Sequence, residues 1–474
     1  MKKLLCILLT LVMLAGCAAP GAEPASNGEV LIRLSDDGVE FPEGSGVHTA
    51  NDIVSDAAEE AARHTVVHIT EPGTYRISGT LSAGQIAVDL GENAKTDPNA
   101  VVTLVLDGAE ITCSVAPAVI FYHVYESSQP NGPAGAHVRI AEASWNQIIG
   151  SHTEEYDGAL YSRMSMAISG EGFLDIKADN EGLCSEMHLT VDSGTIAIAS
   201  GNDGINANAD GLSVITINGG ALLVHVTGGT GEGDGIDSNG SVVINGGTVQ
   251  SYACAASADS GIDADLGILI NGGTVLATGN MLDRIEDGGQ TYAAFQFAQP
   301  QPAGVYTLKN AAGDMVLETA ALNEFQYLLL SAPALAEGTY TLWSGDTQFM
   351  GAPALGGFVG GFQPIERPDW PGRDDGDVEI PPQPTVEYEI QGGQPPERPE
   401  DMPLGQPPEG SGPSNMPAGP VPGGGTEMPM PEMPGGVRPP QDGYQGTLLP
   451  ATALTPDFAI AQGANYFNSV QPVI

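Results

Sequence analysis

The chain has 474 residues, with 64 glycines, 36 prolines and 6% aromatic residues, a composition that favours short strands and tight turns over helices. Its formal net charge is −44, from 15 Lys+Arg against 59 Asp+Glu. This balance excludes the basic patches that nucleic-acid binding requires, so we expect no nucleic-acid partner. The acidity fits either plain solubility or the binding of hard cations, because carboxylates are preferred calcium ligands.

The N-terminus has the features of an export signal. Two lysines precede an apolar run over 4–14, which is too short to span a bilayer and leads into the motif Leu-Ala-Gly-Cys at 14–17. The motif resembles the bacterial lipoprotein signal; the alternative is an ordinary secretory signal. We predict a signal peptide over 1–17, lipidation of Cys17 and a tether over 18–30. The protein would be exported and held by lipid at the outer face of the cell membrane or cell surface, with no other membrane contact.

The five cysteines predict neither zinc binding nor thiol catalysis. Cys6 and Cys17 belong to the targeting segment. The other three, Cys113, Cys184 and Cys254, are an odd number without metal-like spacing. We expect them to be small apolar fillers.

Strand signals begin near residue 31. Short β-branched runs bounded by Gly, Pro and Asn continue to about residue 125, and residues 56–63 can form one or two helical turns. The pattern loosens over 127–161, which we interpret as a loop or insertion carrying Trp145. No later segment has about 18 consecutive apolar residues, so no transmembrane helix is expected.

Two short phrases then alternate. Asn-Gly-Gly occurs at 218–220, 245–247 and 271–273, with copies 27 and 26 residues apart, and Gly-Ile-Asn or Gly-Ile-Asp occurs at 204–206, 235–237 and 261–263. A fixed period of this length indicates stacked units that bury their apolar faces against one another. The sequence therefore predicts an all-β fold: a right-handed parallel β-helix, a solenoid of about 26 residues per coil, over 31–299.

The rest of the chain differs in composition. Residues 300–355 predict a small C-terminal antiparallel β unit that closes the end of the solenoid. Residues 356–447 are dominated by Pro, Gly, Gln, Glu and Met, which predicts disorder. Residues 448–474 regain strand signals and are expected to dock back as edge strands.

Stacking would convert the repeats into rows of acids. Within each Gly-Ile phrase the apolar residues would face inward and the Asp or Asn residues outward. Like charges about 4.8 Å apart repel unless a cation neutralises them. The alternative is a solvated row of turn-forming residues. The residues predicted to hold calcium are Asp203, Asn206, Asp234, Asp237, Asp259, Asp263 and Asp265.

The order of these phrases resembles a known family. The strings at 73–81 and 168–172, followed by the Asp-Gly-Ile and Asn-Gly-Gly-Thr-Val phrases, look like bacterial extracellular carbohydrate-binding domain proteins, whose fold is similar to that of pectate lyases. The resemblance covers about 31–355. It implies a right-handed β-helix, bound calcium and binding of plant-type or acidic polysaccharide. The calcium role transfers to 203–205 and 234–236, less directly to 260–262, and poorly to Glu181-Gly182-Leu183.

We predict from this a monomeric cell-surface lipoprotein that binds polysaccharide and has no catalytic residues. An acidic, pectin-like polymer is favoured because the three clearest repeats contribute only one aromatic residue, Tyr252. One alternative is a polysaccharide lyase, for which the cationic candidates near the repeats are Lys177 and Arg284. The other alternative is a non-catalytic structural adhesin.

Overall fold

The computed structural model describes residues 28–55, 57–127, 129, 132–354 and 454–473. The predicted signal peptide, its Cys17 and the Pro/Gly-rich segment over 356–447 lie outside the described residues. The described part is nearly all β, which confirms the predicted class: it contains one four-residue α-helix and one 3-10 turn over Glu92–Thr96. No helix within this part is both long and apolar enough to cross a membrane.

The first third of the described chain contains ten strands and the short helix. These are β1 Val30–Leu34, β2 Val47–Ala50, α1 Ala58–Ala61, β3 Thr65–Ile69, β4 Gly73–Leu81, β5 Gly84–Asp89, β6 Val102–Thr112, β7 Val119–His123, β8 Ala136–Ile140, β9 Trp145–Gly150 and β10 Gly158–Ser162.

Thirteen shorter strands follow through the repeats. These are β11 Met166–Gly170, β12 Phe173–Ala178, β13 Glu181–Ser185, β14 Leu189–Val191, β15 Thr195–Ser200, β16 Ile205–Ala207, β17 Val214–Ile217, β18 Ala221–Val226, β19 Ile236–Ser238, β20 Ser241–Ile244, β21 Thr248–Tyr252, β22 Gly267–Ile270 and β23 Thr274–Gly279.

Eight strands complete the fold. These are β24 Tyr292–Gln301, β25 Gly304–Asn310, β26 Met315–Ala321, β27 Phe325–Ser331, β28 Gly338–Ser344, β29 Thr347–Pro353, β30 Phe458–Ile460 and β31 Ala464–Pro472.

Strands one repeat apart pair in parallel and in register. Thr195 pairs with Ala221, Ala221 with Thr248 and Thr248 with Thr274, at spacings of 26, 27 and 26 residues. These strands belong to one large sheet, and a second sheet has the order β19-β16-β13-β10-β7-β5-β3-β2. In the second sheet only β2 and β3 pair antiparallel among the described strands. We call all the parallel strands from β1 to β23 the parallel array; its right-handed winding into a solenoid stays a prediction.

The core of the parallel array consists of aliphatic side chains at alternating strand positions. Ile205, Ile236 and Ile262 occupy equivalent places in successive repeats and are almost completely buried, as is Ala264. This confirms the inward orientation predicted for the apolar residues of the Gly-Ile phrases. A stack of this kind buries apolar area in each repeat only because the neighbouring repeats cover it.

The recurrence of Asn-Gly-Gly has a steric cause. The second glycines, Gly220, Gly247 and Gly273, have φ of 82°, 81° and 83°, a left-handed conformation that favours glycine. A Cβ on Gly247 would lie 2.6 Å from the carbonyl oxygen of Gly220 in the preceding repeat. The asparagines bond from repeat to repeat, since Asn245 donates to Asn218 and Asn271 donates to Asn245, both at 2.8 Å. Each phrase is therefore both a turn and a contact between repeats.

Antiparallel strands cover the last strand of the parallel array. β27 pairs antiparallel with β23 and also with β24, so the backbone edge of β23 is occupied. β31 returns to pair parallel with β24 and antiparallel with β29. A second apolar core, with Phe295, Phe297 and Phe467, lies within these strands. β24 crosses residue 299, so the antiparallel strands begin earlier in the chain than the expected boundary at 300.

The loop predicted over 127–161 is wrong. β8, β9 and β10 lie in this stretch, and Trp145 is the first residue of β9. β10 pairs with β7 through Tyr161 and Ile120, 41 residues earlier. The repeat is hidden in the sequence here, because the paired residues of β7 and β10 are much farther apart than the period of 26–27 residues seen later in the chain.

Candidate metal centre

Three carboxylates meet on the outer face of the second sheet. Asn206 of β16 is in register with Asp237 of β19, and Asp263 follows in the next repeat, where its N–H donates to the carbonyl of Ile236. Asp234 stands three residues before Asp237. One oxygen of each of Asp234, Asp237 and Asp263 lies within 4.8 Å of the others. Three of the predicted ligands are thus brought together.

Two further predicted ligands, Asp203 and Asn206, flank this group. Asp203 Oδ1 accepts the Asp234 N–H at 2.7 Å, and Asp234 Oδ1 accepts the Ser260 N–H at 2.5 Å. Each aspartate therefore uses one oxygen to bond the backbone of the following repeat. Asn206 Nδ2 donates to Asp203 Oδ2 at 3.1 Å and to Glu181 Oε1 at 3.0 Å.

Two oxygens beside the carboxylates have no hydrogen-bond partner among the described residues. They are Asn206 Oδ1 and Glu181 Oε2, on side chains of residues that are 7% and 6% exposed. A buried acceptor without a donor costs about 1–3 kcal/mol, and more when it is charged. Asn206 turns its amide hydrogens toward the acids, so its carbonyl oxygen is left available for a cation.

The pKa of every carboxyl group in the cluster is raised. Burial, with Asp203 and Asp157 nearby, raises the pKa of Glu181 to about 8. Burial, with Asp283 and Asp265 nearby, raises the pKa of Asp263 to about 8. The pKa values of Asp234 and Asp237 are raised well above the ordinary range by burial and by neighbouring aspartates. Burial also raises the pKa of Asp203 to about 6. At neutral pH these groups resist ionisation together unless positive charge is supplied.

The two remaining predicted ligands, Asp259 and Asp265, also lie outside the group of three. Asp259 accepts the Gly233 N–H at 2.5 Å and bonds the Ser257 hydroxyl. Asp265 is exposed, and its N–H bonds the Ser238 carbonyl. Both are near enough to raise the pKa of Asp263. Asp259 and Asp265 therefore affect the electrostatics of the cluster, but their carboxylates do not converge with the other three.

Asn208 and Asn239 lie two residues after Asn206 and Asp237, and their side chains form hydrogen bonds with neighbouring repeats. Asn239 Nδ2 donates to the Asn208 carbonyl and to Asp210, both at 2.9 Å, and Asn208 Nδ2 contacts Cys184 and Glu186. These amides tie neighbouring repeats together. The turn-forming role therefore accounts for these two residues.

Sequence reasoning gave too little weight to Glu181 and did not include Asp283. Glu181 was available as the acid before a degenerate Gly-Leu phrase. Asp283 bonds the Ala264 N–H at 2.9 Å and raises the pKa of Asp263. Its signal was the order Leu282-Asp283, which matches the apolar–acid order of Ile262-Asp263 but lacks the preceding glycine. Both lie in repeats whose phrases depart from the Gly-Ile-Asp pattern.

The donor chemistry of the site fits calcium. Calcium takes six to eight oxygens at about 2.3–2.6 Å, so two ligands of one ion lie at most about 5 Å apart. The three grouped carboxylate oxygens meet this limit, and Asn206 Oδ1 adds an amide oxygen. Cys184 is the neighbour of Asn206 in the row, but burial raises its thiol pKa, so it is a poor soft-metal ligand here.

The two cationic candidates differ in position. Lys177 pairs with Asp175 at 3.2 Å on β12, in the other sheet. Arg284 pairs with Glu286 and lies near Asp283, whose pKa burial raises to about 6 while the guanidinium opposes the rise. Of the two candidates, Arg284 is the one beside the carboxylate cluster.

Tyr252, the aromatic residue that the three clearest repeats contribute, lies in the core. Tyr252 is fully buried, and its hydroxyl bonds Thr319 and Gln250. It offers no surface to a sugar ring. Trp145 and Phe173, in register on β9 and β12, are half-buried and stack with ring centroids 6.4 Å apart. The three remaining cysteines are buried and unpaired with each other, as expected of apolar fillers.

Comparisons with known proteins found similar sequences for the middle of the chain. A family model described as "Carbohydrate-binding domain-containing protein" matches residues 63–294, slightly less than half of the chain. A relative of the same description from Acetivibrio thermocellus is 29% identical over 199 residues, which are 40% of this chain and 62% of the relative. The chain thus spans about three fifths of the length of that relative.

A solved structure also matches. It is described as the polysaccharide lyase-like protein from C. thermocellum, as a gadolinium derivative, and is 21% identical. The match covers 54% of this chain and 89% of that one, with a TM-score of 0.36. By the family match alone, the stretch over 63–294, which contains the carboxylate cluster, is similar to carbohydrate-binding domain-containing proteins.

Proposed function

We propose that this protein binds an acidic polysaccharide through calcium held at the carboxylate cluster. The observation that carries the proposal is the pair of buried oxygens without donors, Asn206 Oδ1 and Glu181 Oε2, beside three converging aspartates. Four buried carboxylates without a cation repel one another, so this arrangement is unstable when all four are ionised. Their oxygens and the Asn206 amide oxygen are the ligands that a hard cation prefers. Similarity of 63–294 to carbohydrate-binding domain-containing proteins supports the sugar as partner.

The ligand set consists of Asp234, Asp237 and Asp263, with Asn206 and Glu181 beside them. A bound divalent ion supplies positive charge that can face the carboxylates of a polymer such as polygalacturonate. The chain's own residues hold that charge, and Asp203 fixes the turn that positions Asp234. We propose that the repeats carrying them wind as a right-handed parallel β-helix over 31–299, which supports a long polymer along stacked repeats.

Retention on immobilised polygalacturonate tests the proposal. We expect retention in calcium and its loss in EDTA, with recovery when calcium is restored. Asp237→Asn with Asp263→Asn should remove the calcium dependence, whereas the exposed pair Asp37→Asn with Asp346→Asn should leave it intact. Equal retention of the parent protein with and without EDTA would falsify the proposal.

A lyase is the second candidate, and Arg284 is the observation that favours it. Elimination at a uronate needs a cation to acidify the α-proton and a base to remove it. Arg284 is next to Asp283 but is also paired with Glu286, and a guanidinium in an ion pair stays protonated. An absorbance assay for unsaturated uronate product decides between the two. Product formed by the parent protein and lost in Arg284→Ala would establish the enzyme.

We also propose export and lipid anchoring, on the sequence motif at 14–17. Cys17→Ser should move the protein from the membrane fraction to the soluble fraction. A Cys6→Ser variant is the matched control, because Cys6 lies within the signal and should leave the distribution unchanged. Retention of Cys17→Ser in the membrane fraction would contradict the anchor.

A further inference from the structure

A polar cavity lies in the large sheet, away from the carboxylate cluster. It has a volume of about 240 Å³, and its floor is formed by Ala167, Thr190 and Thr216. These three are in register on β11, β14 and β17. Small-molecule sites usually have about 300–1,000 Å³, so this cavity suits one sugar ring better than an oligosaccharide.

His188, in the wall of the cavity, supplies one hydrogen-bond donor. His188 lines the cavity and is 6% exposed, and its Nδ1 accepts the Val214 N–H at 3.1 Å. Because Nδ1 is the acceptor, the neutral ring carries its hydrogen on Nε2. Burial lowers the pKa of His188, which favours this neutral form. No described residue accepts the Nε2 hydrogen.

The other groups supply both acceptors and donors. Thr190 and Thr216 line the cavity, and no hydrogen bond of their hydroxyls to another group of the described chain is seen. They lie on paired strands about 4.8 Å apart. His137 Nε2 donates to the Ala134 carbonyl at 2.8 Å, which leaves Nδ1 as an acceptor when the ring is neutral. Hydroxyl groups on adjacent carbons of a sugar ring match such alternating donors and acceptors.

The charge of the lining selects against acidic sugars. Asp192 lies at the cavity and holds Asn218 Nδ2 at 2.8 Å, and the lining contains neither lysine nor arginine. A carboxylate in the wall accepts from a sugar hydroxyl but repels a uronate. We infer that this cavity binds one neutral sugar ring, either as a free monosaccharide or as one unit of a neutral glycan. The inference goes beyond the proposed function, which concerns an acidic polymer at the carboxylate cluster, and shares with it only the premise that the ligand is a carbohydrate.

The cavity and the calcium cluster should act independently. The cluster lies on strands β16 and β19 of the second sheet, whereas the cavity floor belongs to the large sheet. Sugar binding at the cavity is therefore expected in EDTA and in Asp237→Asn with Asp263→Asn. If the parent protein in calcium fails to bind polygalacturonate but binds a neutral sugar, the proposed function fails and this inference stands.

Titration of the full chain in EDTA with neutral monosaccharides and their β-linked and α-linked oligosaccharides tests the inference. Thr190→Val with Thr216→Val keeps the shape and removes two hydroxyls, and should weaken binding about tenfold or more. The matched control is Thr248→Val with Thr274→Val, two threonines in register on β21 and β23 that do not line the cavity. It should bind as the parent does.

A filling variant and a spectroscopic readout complete the test. Ala167→Leu fills the floor without removing a polar group and should abolish binding while the unfolding midpoint stays within a few degrees. Sugar should also shift the His188 Nε2–H resonance. If oligosaccharides bind with the same affinity as the monosaccharide, the cavity holds the end of a sugar chain. If the affinity rises with the length of the oligosaccharide, the cavity holds an internal unit. Absence of binding by every neutral sugar, parent-like affinity in both variants, or preference for galacturonate would overturn the inference.

Discussion

Asn206 illustrates how one side chain sets the chemistry of the cluster. Its amide nitrogen holds Glu181 and Asp203, so its oxygen faces away from both and has no donor among the described residues. An aspartate at this position would add a charge and lose both hydrogen bonds. The amide therefore organises two acids and leaves one neutral oxygen for a cation.

Removing two charges from the cluster should stabilise the metal-free protein. In EDTA, Asp237→Asn with Asp263→Asn relieves repulsion between buried carboxylates, so its thermal midpoint should rise by at least about 2 °C. Added calcium should raise the midpoint of the parent but not that of the variant. Asp37→Asn with Asp346→Asn, both exposed, should change neither value. Coincident parent curves with and without calcium would refute the metal site.

The raised pKa values also predict how stability depends on pH. Glu181 and Asp263 have folded-state pKa values of about 8, above their ordinary 4.5 and 3.8. A raised carboxyl pKa means that the folded state binds the proton more tightly, so this contribution is complete below about pH 4 and is lost as pH rises toward 8. Denaturant titrations in EDTA should show the unfolding free energy falling between these values. Calcium should reduce the fall, and a pH-independent metal-free protein would contradict the assignment.

At the scale of elements, the glycine of each Asn-Gly-Gly turn has two reasons to be glycine. Gly247→Ala must accept a left-handed φ and also a Cβ contact 2.6 Å from the Gly220 oxygen. Gly211→Ala meets only the first problem, because its φ is 64° and nothing lies within 4 Å of the added Cβ. We expect Gly211→Ala to cost about 1 kcal/mol and Gly247→Ala clearly more, in chemical denaturation. Equal costs would show that the contact between repeats is unimportant.

The turns and the inward isoleucines were predictable because their signals are local and recur at a constant spacing. β8 to β10 were not, because the paired residues Ile120 and Tyr161 are 41 positions apart, which breaks that spacing. Within the site, the period aligned Asp237 with Asp263 but could not say that Asp259 turns toward the Gly233 N–H. Nor could it place Asp283, whose phrase has lost its glycine. Side-chain direction in loops depends on backbone donors that a repeat count does not contain.

At the scale of the whole molecule, the chain closes on itself through β31. This strand lies between β24 and β29, and its Phe467 packs against Phe295 in the second core. The antiparallel strands in turn cover β23 of the parallel array. Strands β24 to β29 are therefore needed to cover the last repeat, together with β31 from the end of the described chain.

The connection over 355–453 should be dispensable for this arrangement. Gly351 and Thr455 bond each other's backbones at 2.9 and 2.8 Å, so the chain ends flanking the connection are close together. A short Gly/Ser linker of about eight residues, with a mean span of roughly 15 Å, can join Ala354 to Leu454. The composition of 355–453 predicts disorder, and closing a disordered loop costs about 0.6 kcal/mol of free energy per doubling of its length. The free energy of unfolding of the shortened chain should therefore be about 2 kcal/mol higher.

Chemical denaturation of the shortened and full-length chains, both without the signal segment, measures this difference. The calcium-induced rise in midpoint and the binding of neutral sugar should be the same in both, because the cluster and the cavity lie before residue 300. A control that keeps the connection but replaces Phe467 with Ala should lose about 3–5 kcal/mol, since it removes a buried ring from the second core. A shortened chain that unfolds as readily as this control would mean that residues 355–453 themselves hold the antiparallel strands in place.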